Sequence, residues 1–235
     1  MFLDPAILLK DGFDESQHPR DDAGRFSDGG GGGGSGNDYV SIRDQSLDPK
    51  HASALNRYVG KEYRYANDIA RGRADRLTLT ELTKGESLFD DMNAMFADVP
   101  LLKEPMTLFR GQPLASQLGI DVNDPDALVG SQFTDHGWTS TTESERTAES
   151  FAKDFGKDKF KDSLLFKIFV KTGVKLLNVA IHSYLLDNAG AQHAAKTESE
   201  MLLNRGNTFK ITGHSRSKNG LLLLTADHSH TKRSN

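Results

Sequence analysis

The sequence predicts an α+β fold, and two observations carry that prediction: a helical apolar rhythm in the first half of the folded part, and a series of strand-length apolar runs in the second. From Leu47 to Arg73, residues Leu55, Tyr58, Val59, Tyr63, Ala66, Ile69 and Ala70 recur at three- and four-residue spacing, the period of one helix face. Gly60 breaks the stretch into two helices. Thr80 to Phe96 continues as one or two more, with Leu82, Leu88, Met92, Met95 and Phe96 as the apolar stripe. After Pro105 the character changes. Met106–Phe109, Gln132–Phe133, Trp138–Thr139, Leu164–Val170, Val174–Val179, Met201–Leu203, Thr208–Thr212 and Leu221–Thr225 have strand length and are bounded by glycine and polar turns. One helix, Ser144 to Phe155, interrupts them.

Residues 1–37 read as an extension. Asp14 to Ser27 has no periodic apolar face, and the glycine run Gly29–Gly34 is a flexible linker, because glycine loses the most freedom on ordering. The folded domain spans 38–227. Residues 228–235 read as a polar tail in which His228 and His230 are solvated.

Bulk properties narrow the function. A chain of 235 residues accommodates one sizeable domain plus an extension. A formal charge of -4 gives no bulk attraction to nucleic acid. The absence of cysteine excludes disulfides, thiolate metal sites and a cysteine nucleophile. The eight histidines are scattered, so no metal is expected. No apolar run approaches the roughly 20 residues of a membrane span. The N-terminus carries Asp4 and Asp11 without an early basic cluster and does not read as a secretory signal.

Three segments carry chemistry. In Leu108-Phe109-Arg110-Gly111 an arginine ends an apolar strand, where it can fork two hydrogen bonds onto a phosphate, and the glycine admits close approach to a ligand. As a plain structural feature it is a surface arginine before a turn. Ser140-Thr141-Thr142 lies on a strand ahead of a helix bearing Ala148 and Phe151. The hydroxyls suit a strand, and Thr142 with Glu145 fits a capping box, but they can also hold a carboxylate in place. In Thr197-Glu198-Ser199-Glu200, two glutamates two apart at the head of an apolar strand share one face. Edge-strand solubility explains such a pair; so does a division of labour in which one carboxylate stabilises a positive sugar and the other handles the incoming nucleophile.

Taken in this order, the segments resemble the arginine–serine–glutamate branch of the ADP-ribosyltransferases, which includes clostridial binary toxins and vertebrate arginine-specific transferases. Ala54-Leu55-Asn56-Arg57-Tyr58 through Tyr63 and Asn67 resembles that family's helix of spaced tyrosines and asparagine. The resemblance spans Leu47 to Thr225. It implies N-terminal helices packed on a mixed or antiparallel β-sandwich core, and an enzyme that transfers ADP-ribose from NAD, its substrate, without a metal. It further implies that Arg110 binds an NAD phosphate, Gly111 offers backbone bonds to nicotinamide, and Ser140 positions the catalytic Glu200. Thr141 and Thr142 support that strand, Phe151 packs near nicotinamide, and Tyr58, Tyr63 and Asn67 line the cleft. Glu200 stabilises the oxocarbenium ion and Glu198 orients the acceptor. Glutamate two before the catalytic one implies arginine on a target protein as acceptor. Asp187–Thr197 becomes a target-recognition loop, one without the aromatic some relatives use. Thr142 and Asp154 depart from the family pattern, the latter leaving Arg110 more alone in phosphate binding.

The segment Asp14-Glu15-Ser16-Gln17-His18-Pro19-Arg20-Asp21 through Gly24-Arg25-Phe26 resembles stretches of phage head and virion proteins. That implies delivery with a virion into a bacterial host cytoplasm. Three alternatives stand beside this reading: an NAD glycohydrolase or a transferase to another acceptor such as a DNA base, a non-catalytic virion module, and a glycosidase using Glu198 and Glu200. The transferase reading requires Arg110, Ser140 and the two glutamates to converge on one cavity.

Overall fold

A computed structural model describes residues 39–112, 121, 123–153 and 163–230. The extension 1–37 and Asp154 lie outside them. In chain order come β1 (Tyr39–Val40), α1 (Ala52–Arg57), a π-helical turn (Tyr58–Glu62), α2 (Tyr63–Ala70), α3 (Leu79–Asp98), β2 (Leu101–Leu102) and β3 (Met106–Gln112). Then follow β4 (Gln132–Asp135), β5 (Thr139–Thr142), α4 (Glu145–Lys153), β6 (Leu164–Val170), β7 (Leu176–Asn178), α5 (Ala189–Glu198), β8 (Glu200–Leu203), β9 (Asn207–Arg216) and β10 (Leu222–His230).

The stretch expected as one or two helices is the single helix α3. Its start is set by Thr78, whose Oγ1 accepts from the Glu81 amide while the Glu81 carboxylate accepts from the Thr78 amide at 2.9 Å. At its far end Lys175 donates to the Phe96 and Ala97 carbonyls, at 2.7 and 2.5 Å, and satisfies acceptors that the helix leaves open. The helix break expected at Gly60 falls within the π turn, where Gly60 departs from helical geometry.

Eight strands form one mixed sheet in the order β4-β9-β10-β6-β3-β5-β8-β7. Its pairs are antiparallel except β6 with β10. The ladder is uneven: seven pairs join β3 to β6, whereas Phe109↔Thr142 alone joins β3 to β5. The sheet therefore divides at that joint into five-stranded and three-stranded halves. Side-chain alternation along β7 and β8 shows how they stack. Leu177 and Leu202 pack with the residues of α1, α2 and α3 and with Trp138. Leu176, Met201 and Leu203, on the opposite face, join Leu108, Phe166 and Phe209 of the five-stranded half. Ala148 and Ala152 of α4 cover the far side through Leu165 and Phe109. Helices, three strands, five strands and α4 thus form successive layers, the sandwich with packed N-terminal helices that the sequence predicts.

Three local expectations are corrected. Residues 189–198 form a helix, not a loop: Asn188 accepts from the Ala191 amide at 2.7 Å, and alanine is the strongest helix former. The capping box assigned to Thr142 and Glu145 does not form. Ser144 caps α4 by accepting from the Thr147 amide at 3.1 Å, and the Thr142 hydroxyl oxygen accepts from the Ser144 amide instead, also at 3.1 Å. His228 is buried rather than solvated, since β10 runs on through His230 and the His228 ring meets Asn207 Oδ1 at 2.7 Å.

Thr78→Ala removes an exposed cap and nothing from the core, so it should lower unfolding free energy by about 1 kcal/mol. Urea denaturation with an unchanged m-value is the measurement.

Candidate active site

Strands β5 and β8 are in antiparallel register, with Ser140 opposite Leu202 and Thr142 opposite Glu200. These four side chains share the face turned toward the helices. Ser140 and Glu200 are diagonal neighbours on it, close enough for direct contact. The Ser140 hydroxyl donates to Glu200 Oε1 at 2.7 Å. The next two hydroxyls bond backbone instead: Thr141 donates to the Met201 carbonyl and Thr142 to the Glu198 carbonyl, each at 2.7 Å.

The two glutamates do not share a strand face as the sequence suggests. Helix α5 ends on Glu198, Ser199 follows in the left-handed conformation at φ 48° and ψ 48°, and Glu200 opens β8. Ser199 has the only positive φ among the described non-glycine residues. The abrupt turn brings both carboxylates into one cavity from different elements. Burial raises the pKa of each, and for Glu200 the nearby Glu198 charge adds to the rise while the Ser140 hydrogen bond opposes it. Two carboxylates lining one cavity form a site that favours a cation.

Arg110 enters from β3 on the side opposite Phe109 and Gly111. It is 4% exposed, and its Nη1 donates to the Ser140 carbonyl at 2.7 Å. Burial lowers its pKa from an ordinary guanidinium value. Among the described residues, Arg110, Gly111, Ser140, Thr141, Thr142, Tyr58, Tyr63, Phe151, Glu198 and Glu200 line one cavity of ≈ 240 Å³. Asn67 does not line it. Its Nδ2 donates to the Tyr58 hydroxyl at 3.3 Å and its Oδ1 accepts from the Trp138 amide at 2.9 Å, which places it behind the wall.

Several groups are not singled out by the sequence as site residues. Ala194 and Ala195 of α5 line the cavity, as do Val59, Phe109 and Ala148. Behind it Arg71, just past α2, forms a two-point ion pair with Asp135 at 2.9 and 3.1 Å, both side chains almost wholly buried. Burial alone would raise the Asp135 pKa, but the guanidinium beside it holds it below the ordinary carboxylate range. No group of three His, Asp or Glu side chains is arranged to hold a metal among the described residues.

A family model described as ADP-ribosyltransferase exoenzyme matches residues 35–232. No curated protein matches the chain. Among solved structures, the ADP-ribosyltransferase Vis of Vibrio splendidus, in complex with agmatine, is similar at 15% identity and TM-score 0.57, over 83% of this chain and 82% of that one. The C3 exoenzyme of Clostridium limosum is similar at 18% identity and TM-score 0.53, over 79% and 87%. The C. perfringens toxin BECa, solved with NADH, is similar at 15% identity and TM-score 0.55, over 78% of this chain and 44% of that one. At these identities the likeness is one of fold.

Gly111 serves close packing as well as cavity shape: a Cβ there would lie 2.0 Å from the Ala148 carbonyl oxygen. Gly111→Ala should therefore destabilise by about 1–3 kcal/mol through overpacking against α4, read by chemical denaturation.

Proposed function

Because the chain belongs to the ADP-ribosyltransferase exoenzyme family, we propose that it transfers ADP-ribose from NAD to an arginine side chain of a target protein and releases nicotinamide. The observation that carries the reading is the arrival of Glu198 and Glu200 in the same cavity as Arg110, from two different elements.

In this reading the nicotinamide end of NAD occupies the cavity, between Phe151 and the tyrosine wall. The buried Arg110 cation faces the diphosphate, which suits a guanidinium fork. As the bond between ribose and nicotinamide breaks, its electron pair leaves with nicotinamide as a neutral molecule and positive charge develops on the ribose. Glu200, fixed by Ser140, stabilises that charge in a site with little competing water. A guanidinium nitrogen of the acceptor then bonds to the ribose carbon, and its proton passes to Glu198. The acceptor assignment rests on Glu198, which ends α5, where helix carbonyls also favour a cation. That Vis is solved with agmatine, itself a guanidinium compound, supports the same choice. The target is proposed to be a protein of a bacterial host, reached with a virion, on the strength of the segment Asp14–Phe26.

Glu200→Gln should reduce nicotinamide release about 10²-fold or more. The variant should melt no lower than the parent at neutral pH. A carboxylate whose folded pKa is raised stabilises the fold only at acid pH and loses that contribution as pH rises, so the neutral amide removes a penalty at pH 7. In the parent enzyme kcat should fall below a pH set by a group titrating above an ordinary glutamate.

Acceptor choice is tested by supplying NAD with and without agmatine. Glu198→Gln should abolish labelling of agmatine while leaving nicotinamide release to water measurable. Equal agmatine labelling by the parent and Glu198→Gln overturns the arginine assignment. Nicotinamide release that never depends on an acceptor identifies a glycohydrolase instead.

A further inference from the structure

We infer that Asn67 and Arg71, one helical turn apart, are positioning residues that hold the turn ahead of β5 so that the Ser140 hydroxyl reaches Glu200. The inference rests on the reading of Glu200 given above.

Ser140 is the second residue of β5, and the chain reaches it from β4 through Asp135, His136, Gly137 and Trp138. Nearly every group along this turn is tied to Asn67 of α2 or to Arg71 at its C-terminal end. The Asp135 carboxylate accepts from Arg71 Nε at 2.9 Å and the Gly137 amide at 3.0 Å through Oδ1. Through Oδ2 it accepts from Arg71 Nη2 at 3.1 Å and the Thr139 hydroxyl at 3.0 Å. Asn67 Oδ1 accepts from the Trp138 amide at 2.9 Å. Gly137 has no room for a side chain, since a Cβ would lie 2.5 Å from Asn67 Oδ1 and 2.8 Å from Arg71 Cζ. Residues 135, 137, 138 and 139 are thus fixed directly or through Asp135, and Ser140 is the next residue.

The choice of groups is informative. A buried ion pair contributes little net stability compared with apolar packing of the same shape, while removing one partner leaves the other charge buried and uncompensated. What such a pair supplies is defined geometry: a planar fork meets a carboxylate at one angle and one distance. The geometry at stake is the diagonal contact between Ser140 and Glu200, which a shift of β5 along β8 would break. Asn67 binds the same turn and also donates to the Tyr58 hydroxyl, so one helix face fixes both the tyrosine wall and the serine.

The titration midpoint of the Glu200 carboxyl reports on that contact without reference to turnover. It is read by ¹³C NMR on the full chain with labelled glutamate, assigned through Glu200→Gln. A hydrogen bond donated to a carboxylate lowers its pKa, so Ser140→Ala should move the midpoint up by about one pH unit. Arg71→Lys keeps the charge and loses the fork; Asn67→Ala removes the bond to Trp138 without altering charge. Both should move the midpoint up, and neither should move it further once Ser140 is alanine. A purely structural role would lower the melting temperature and leave the midpoint in place. An unmoved midpoint in either single variant, or in Ser140→Ala itself, overturns the inference. Should Arg71→Lys fail to fold, Asn67→Ala decides. Undiminished transfer by Glu200→Gln would instead refute the functional reading, whatever the titration shows.

Discussion

The rest of the structure depends on how the sheet is joined between β3 and β5. A single residue pair, Phe109↔Thr142, connects the five-stranded half to the three-stranded half. A sheet that continued pairing there would have satisfied its backbone within the ladder and kept its side chains in alternating rows. Where the ladder ends, the side chain of Arg110 finds a backbone carbonyl, that of Ser140, in place of a strand neighbour. On the other edge of β5, where pairing with β8 continues, the hydroxyls of Thr141 and Thr142 bond the Met201 and Glu198 carbonyls. The cavity lies at this joint because it is where two packed layers diverge while a single residue pair keeps their edges together.

Charge is distributed with equal economy. Arg71 and Asp135 cancel one another behind the wall, and Asp135 is close enough to influence Arg110 as well. The buried cationic side is thereby left with an excess positive charge beside Ser140, and the two glutamates lie across from it. Opposite charges held at one cavity suit a ligand that is anionic at one end and develops positive charge at the other. A dinucleotide losing its nicotinamide is such a ligand, which is how the family assignment and the geometry meet.

Elements defined by local spacing were legible in the sequence. The tyrosines and alanines of α1 and α2, the stripe of α3 and the apolar runs of β3 and β6 announce themselves through period alone. So does the serine–threonine segment, since its neighbours require a strand. Helix α5 is harder because its small residues make no apolar stripe; its signals are the Asn188 cap and the run of alanines, which speak to propensity rather than packing. The placement of Glu198 follows from that helix and so was hidden with it. His228 looks polar in a polar context, and only its partner Asn207 on the neighbouring strand explains its burial. Arg71 and Asp135 are 64 residues apart, and no local pattern relates them. Groups that complete the site from a distance are set by tertiary contact, and a single sequence carries no record of it.

The left-handed Ser199 makes the two acidic side chains mechanically separate. Glu200 belongs to the sheet and moves with Ser140; Glu198 belongs to the end of a helix joined to that sheet through one sharply turned residue. Substitutions that tilt or lengthen the helix can therefore redirect the outer carboxylate toward a different partner while the inner one keeps its serine. Under the proposed function, selection on what is modified can proceed without disturbing the group assigned to the sugar, and the division lies at a single backbone angle.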